Sequence, residues 1–99
     1  MRFLDSQETE TGEYHLYQNI PNPFAEGTVI SFSLPHKEKV KLIIHDNVGR
    51  EVFEYESVMD SGYNEVTVNA SSLRVPGIYY YTLYTANASF TRKMSYTND

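Results

Sequence analysis

The sequence predicts an all-β domain, a seven-stranded antiparallel sandwich, and three observations carry that reading. Nine tyrosines and five phenylalanines stand among frequent Val, Ile and Thr, side chains that suit a pleated, half-buried surface. Several segments alternate apolar and polar residues with period two. No window holds an i, i+3, i+4, i+7 apolar pattern over three turns. Turn signals recur at the roughly 8–12-residue spacing of small sandwiches. At 99 residues, the chain has material for one core.

Residues 5–13 carry no apolar side chain, so 1–13 reads as a flexible linker or leader and 14–99 as the folded domain. Tyr14, Leu16 and their neighbours His15 and Tyr17 form a short first strand. It stops at Pro21-Asn22-Pro23-Phe24, because two prolines within three residues cannot donate to a ladder. That segment must run as a polyproline-like edge or as a rigid crossing between sheets.

Thr28 to Leu34 alternates cleanly, with Ile30, Phe32 and Leu34 on the buried side until Pro35 ends it. Val40, Leu42 and Ile44 point inward on the next strand, with Lys39 and Lys41 outward. Asp46-Asn47-Val48-Gly49-Arg50 reads as a bulged hairpin turn with Gly49 at positive φ. Val52, Phe53 and Tyr55 continue on the return strand. Asp60-Ser61-Gly62 marks a second turn, and Val66 and Val68 point inward on the strand after it. Arg74-Val75-Pro76-Gly77 launches the strand that holds Ile78 to Tyr84, with Tyr79, Tyr81 and Leu83 inward. A last strand runs from Phe90 to Tyr96. The pattern is that of an immunoglobulin-like or fibronectin-like sandwich.

Leu73 to Tyr79 has the spacing of a tyrosine corner, in which a hydroxyl bonds back to the backbone a few residues upstream. The plainer alternative is that Tyr79 is ordinary core.

Composition narrows the function. Eight basic against thirteen acidic residues leave a net charge of −5, which argues against binding nucleic acid or anionic lipid by charge. The longest apolar runs are a few residues, as at Leu42-Ile43-Ile44, so direct membrane insertion is not expected. Absence of cysteine removes disulfides, thiolate metal sites and thiol nucleophiles. The polar residues behind Met1 lack the apolar core of a signal peptide. The chain therefore reads as cytosolic or as a piece of a longer exported protein.

No constellation for chemistry emerges. His15, His36 and His45 have no ligand-like spacing and read as surface residues. Glu51, Glu54 and Glu56 read as a solvated strand, with Asp60 beyond them, and no calcium-loop pattern occurs. There is no nucleophile elbow and no Gly-x-Gly phosphate loop. No catalytic residue, metal site or cofactor is expected. Two sequons, at Asn69 and Asn87, are too short a pattern to carry weight. Tyr80 and Tyr84 face away from Tyr79 and Tyr81. They are either a sugar-stacking platform or simple β-propensity on a solvated sheet, and the simpler reading is favoured.

One resemblance covers about 80 residues in order. Leu16-Tyr17-Gln18-Asn19-Ile20-Pro21-Asn22-Pro23-Phe24 and Thr28-x-Ile30-x-Phe32-x-Leu34-Pro35 open it. Val40-x-Leu42-x-Ile44-x-Asp46-x-x-Gly49-Arg50-Glu51-Val52 follows. Gly62, Leu73, Gly77-Ile78-Tyr79-x-Tyr81-x-Leu83 and Thr91-Arg92-Lys93-Met94 complete it. The sequence resembles the C-terminal sorting domains (type A tails) of type IX secretion cargo.

That resemblance implies a non-catalytic secretion signal at the end of a larger, N-terminal cargo in Gram-negative bacteria of the Bacteroidetes type. Its partners would be the translocon and a surface sortase that removes the signal. The protein would pass the periplasm to the cell surface or medium. The recurrent elements fall on Pro21, Asn22, Pro23, Phe24, Gly77, Ile78, Tyr79 and Lys93, with Gly49 and Gly62 as structural turns. The chain departs from the family at its polar, acidic end, Met94 to Asp99. Alternatives are a carbohydrate-binding module, which needs exposed aromatics aligned on one face, and a structural fibronectin-like spacer.

Overall fold

The computed structural model describes residues 13–98; the leader read over 1–13 lies outside the described residues except for Glu13. Seven strands follow in order: β1 (His15–Leu16), β2 (Gly27–Leu34), β3 (Glu38–His45), β4 (Glu51–Met59), β5 (Gly62–Asn69), β6 (Gly77–Tyr84) and β7 (Ser89–Tyr96). A single 3-10 turn, Ala70–Ser72, interrupts them. The strands make two antiparallel sheets, ordered β1-β2-β5 and β4-β3-β6-β7. The expected sandwich is the observed one.

Period-two alternation explains how the two sheets close on each other. All eleven inward residues read from the sequence are buried: Ile30, Phe32, Leu34, Val40, Leu42, Ile44, Val66, Val68, Tyr79, Tyr81 and Leu83. Leu16, Phe24, Ala70, Leu73 and Met94 complete the cluster. A fully buried side chain of this size contributes about 1.5–3 kcal/mol. Ile43 is also buried although it lies on the outer face of its sheet, beside Thr82 of β6.

Turns set the register. Gly49 donates its amide to the Asp46 carbonyl at 3.0 Å and holds φ +91°. The Asp46 carboxylate accepts the amides of Val48 and Arg50. The ladder slips by one residue at Ile44/His45, the bulge such a turn requires. Gly62 turns the chain from β4 into β5 with φ +92°.

The tyrosine corner is present. The Tyr79 hydroxyl is shared between the carbonyls of Val75 and Leu73, the latter at 3.1 Å. Its ring is buried. The corner loop also holds Arg74 at φ +76°, a left-handed residue that is not glycine. The Leu73 amide closes the 3-10 turn on the Ala70 carbonyl at 2.9 Å, and the Arg74 amide reaches the same carbonyl at 3.2 Å.

Candidate functional site

The proline segment is a crossing between sheets. Ile20 exchanges two hydrogen bonds with Val29 of β2, at 3.0 and 2.9 Å. The chain then leaves the three-stranded sheet through Pro21 and Pro23, each of which follows a cis peptide bond. Phe24 arrives beside β7 in the other sheet. Its amide donates to the Ser95 carbonyl at 3.0 Å, and its carbonyl accepts the Thr97 amide at 2.8 Å. These bonds make a parallel bridge from Phe24 to Tyr96. We call residues 18–24 the strap.

Side chains extend this seam along β7. Asn22 Oδ1 accepts the Ser95 amide at 2.9 Å, and Gln18 Nε2 donates to the Lys93 carbonyl at 2.8 Å. Arg92 Nε donates to the Leu16 carbonyl at 2.7 Å. The Phe24 ring stacks on Tyr96, with centroids 5.3 Å apart and planes 16° apart. Such a pair adds about 0.5–1.5 kcal/mol to the burial of Phe24. Without the strap, the amides of Ser95 and Thr97 would be left on an open sheet edge.

A buried polar knot fixes the strap from inside. Asn19 is 1% exposed. Its amide side chain donates to the Pro21 carbonyl at 3.1 Å and to Thr28 Oγ1 at 3.0 Å. Gln18 donates to Asn19 Oδ1 at 2.7 Å. Tyr81 reaches through the core from β6, accepting the Asn19 amide at 2.9 Å and donating to the Tyr17 carbonyl at 2.8 Å. Desolvation pushes the Tyr81 phenol above its ordinary pKa, against the lowering effects of the Asn19 amide and Arg92. Burial likewise raises that of Tyr79, against its bond to Val75.

The topology thus gathers sequence-distant residues around β7. Pro21, Asn22 and Pro23 are exposed along its edge. Ile78 pairs with Ser95, and Tyr80 pairs with Lys93. Alternation turns Ile78, Tyr80, Lys93 and Ser95 to the outer face of the sheet, because Tyr79 and Met94 point in. Gly77 sits opposite Tyr96 at the strand's end. Phe24 and Tyr79 are buried beneath this strip and shape it from below. Gly49 and Gly62 lie in turns outside it. Gln18, Asn19, Thr28 and Arg92 hold the strip together, although sequence reasoning gave them no part. Their only sequence signal was that all four fall within the segments that carry the family resemblance.

Charge distinguishes the strip from the rest of the molecule. Twelve of the thirteen acidic residues precede Val66, and the other is Asp99. The strap and the β6–β7 hairpin therefore carry Arg92 and Lys93 with no carboxylate between residues 66 and 98. Among the described residues, no three His, Asp or Glu side chains converge as a metal site would require. No helix of the described residues is long and apolar enough to cross a membrane.

These features define an immunoglobulin-like sandwich whose N-terminal strap seals the edge of its last strand. Residues 18–96 match the family model described as the secretion system C-terminal sorting domain. The chain belongs to that family, the sorting domain of type IX secretion. No curated protein matches it. The matched span opens at Gln18 and closes at Tyr96, so it coincides with the strap and the strand it seals. Membership makes the chain a sorting signal for a secreted or cell-surface cargo that works with the type IX machinery.

Proposed function

We propose that the signal, residues 14–99, is read in its folded form through the strip where the strap meets β7. The observation that carries this is the seam itself: Phe24 bridges Tyr96, and Asn22 takes the Ser95 amide. Pro21, Asn22, Pro23, Ile78 and Lys93 share one edge only when both ends of the domain have come together. A receptor that docks there recognises the folded state and ignores the same motifs in an unfolded chain. The positive strip on an acidic chain suits an acidic receptor surface. Phe24, Gly77 and Tyr79 act by holding the strip's shape.

The cargo lies N-terminal to the leader, and the signal itself performs no catalysis. In this reading the passenger crosses the periplasm, the translocon binds the strip, and a surface sortase then removes the domain within or near the leader.

A transplant tests it. Residues 1–99 are fused behind a signal peptide and a fluorescent protein in a host with the machinery. Fluorescence is expected at the surface or in the medium. Lys93→Glu and Ile78→Glu, both at outward positions, should keep the cooperative melting of the domain yet hold the fusion in the periplasm. An intact fusion that is folded but stays periplasmic defeats the sorting role. Full export of both folded variants defeats the strip as the docking surface.

A further inference from the structure

Strand β4 alone among the seven buries none of the residues that it turns toward the core. Phe53, Tyr55 and Ser57 stand opposite Ile44, Leu42 and Val40 of β3, which are all buried, so they share the inner face. Phe53 and Ser57 are only half-buried, and Tyr55 is 38% exposed. Strand β5, the open strand of the other sheet, differs, because its inner residues Val66 and Val68 are buried. The core is therefore short of cover along one edge, beside β4.

That edge is also a row of backbone groups. Strand β4 pairs with β3 on one side and with no strand on the other. Among the described residues, the one side chain bonded to its backbone is its own Ser57, whose hydroxyl donates to the Val58 carbonyl at 3.3 Å. A periodic row of amides and carbonyls is matched by one ligand chemistry, another extended backbone.

Charge narrows the occupant further. No lysine or arginine occurs between Arg50 and Arg74, whereas Glu51, Glu54, Glu56, Asp60 and Glu65 all fall there. Glu54 and Glu56 lie opposite Ile43 and Lys41 and so point to the outer face of the sheet. Lys41 and Lys39 of β3 reach them from one side. On the side of the open edge, no cation among the described residues meets them.

We propose that β4 receives an added strand from a separate protein, an extended segment that alternates apolar and basic residues. Its backbone completes the ladder, and its apolar side chains cover Phe53 and Tyr55. Its lysines or arginines meet Glu54 and Glu56 on the outer face, which sets each carboxylate between two cations. The leader of this chain has the wrong sign for the place, with Asp5, Glu8, Glu10 and Glu13 and no basic residue from 5 to 13. A second copy brings the same two glutamates. The site lies on the rim opposite β7, so it is separable from the docking strip and does not rest on it.

The test is a two-dimensional NMR titration of the full 99-residue chain with a blocked peptide that alternates lysine and valine over the length of β4. Saturable shifts centred on Glu51–Met59 and slowed amide exchange along that strand are expected. A glutamate–valine peptide, a peptide of residues 5–13, and the lysine–valine peptide with an N-methylated backbone should all leave β4 unshifted. Glu54→Gln combined with Glu56→Gln, both at exposed positions, should weaken binding about tenfold or more with the melting temperature nearly unchanged. Lys93→Glu, on the other rim, should not weaken it. Silence with the lysine–valine peptide overturns the proposal, as do shifts centred on β5 or β7. Equal binding of the N-methylated peptide would reduce the contact to charge alone and overturn it too. Binding of the 5–13 peptide along β4, or shifts there on diluting the protein by itself, would make the leader or a second copy the occupant and defeat it equally.

Discussion

The Ser95 amide donates to the side-chain oxygen of Asn22 at 2.9 Å, across 73 residues of sequence. A single side chain from the strap thus supplies an acceptor that a neighbouring strand would otherwise provide. The bond precedes, along β7, the two backbone bonds of Phe24 to Ser95 and Thr97, and together they turn a strand edge into a paired one.

Asn22→Ala should therefore cost about 0.5–1.5 kcal/mol, while Asn22→Asp, which keeps the acceptor, should stay near the parent. Denaturant midpoints at neutral pH measure both. Equal losses in the two variants would show that the bond contributes nothing.

Two hydroxyl deletions should rank in a fixed order. Tyr79→Phe removes a donor from the Val75 and Leu73 carbonyls, at about 1–3 kcal/mol. Tyr81→Phe orphans the Tyr17 carbonyl and the buried Asn19 amide together, so it should cost the larger amount. The reverse order in denaturant melts would mean that the corner, not the knot, governs stability.

The same two phenols set an alkaline limit. Burial raises both above the ordinary tyrosine value of 10.0. The folded state then holds protons that the unfolded chain releases above that value, so stability falls as pH rises through this window and is unaffected below it. The double variant Tyr79→Phe, Tyr81→Phe, referred to its own neutral-pH stability, should lose less between about pH 10 and 12. Parallel curves for parent and variant would contradict the assignment.

Gly49 and Gly62 offer a cleaner measurement, since a Cβ at either would meet nothing within 4 Å. Alanine there carries only the left-handed backbone cost, about 1–2 kcal/mol. Both losses should be similar and independent of each other, as read from thermal melts of the single and double variants.

The strands and turns were legible because their signals are local. Alternation in Thr28 to Leu34, Gly49 behind Asp46, and the Leu73-to-Tyr79 spacing each fit in fewer than ten residues. The strap's destination was not legible. Pro21-Asn22-Pro23 announces only that a ladder ends, and nothing near Phe24 names Tyr96 as its neighbour. The bond between Asn19 and Tyr81 was opaque for the same reason: it spans 62 residues, and Asn19, a polar side chain bound for the core, has no periodic signature.

Among the described residues, no strap covers the opposite rim of the four-stranded sheet. Strand β4 is nine residues long and is the last in its sheet, so its backbone is open to pairing. Two copies meeting antiparallel about Tyr55 would set Glu54 of each against Glu56 of the other, and like charges directly opposite are destabilising. Lys41 and Lys39 stand 3.5 and 3.7 Å from those carboxylates within the sheet, leaving none to bridge the copies. The acidic rim therefore discourages self-aggregation through this edge.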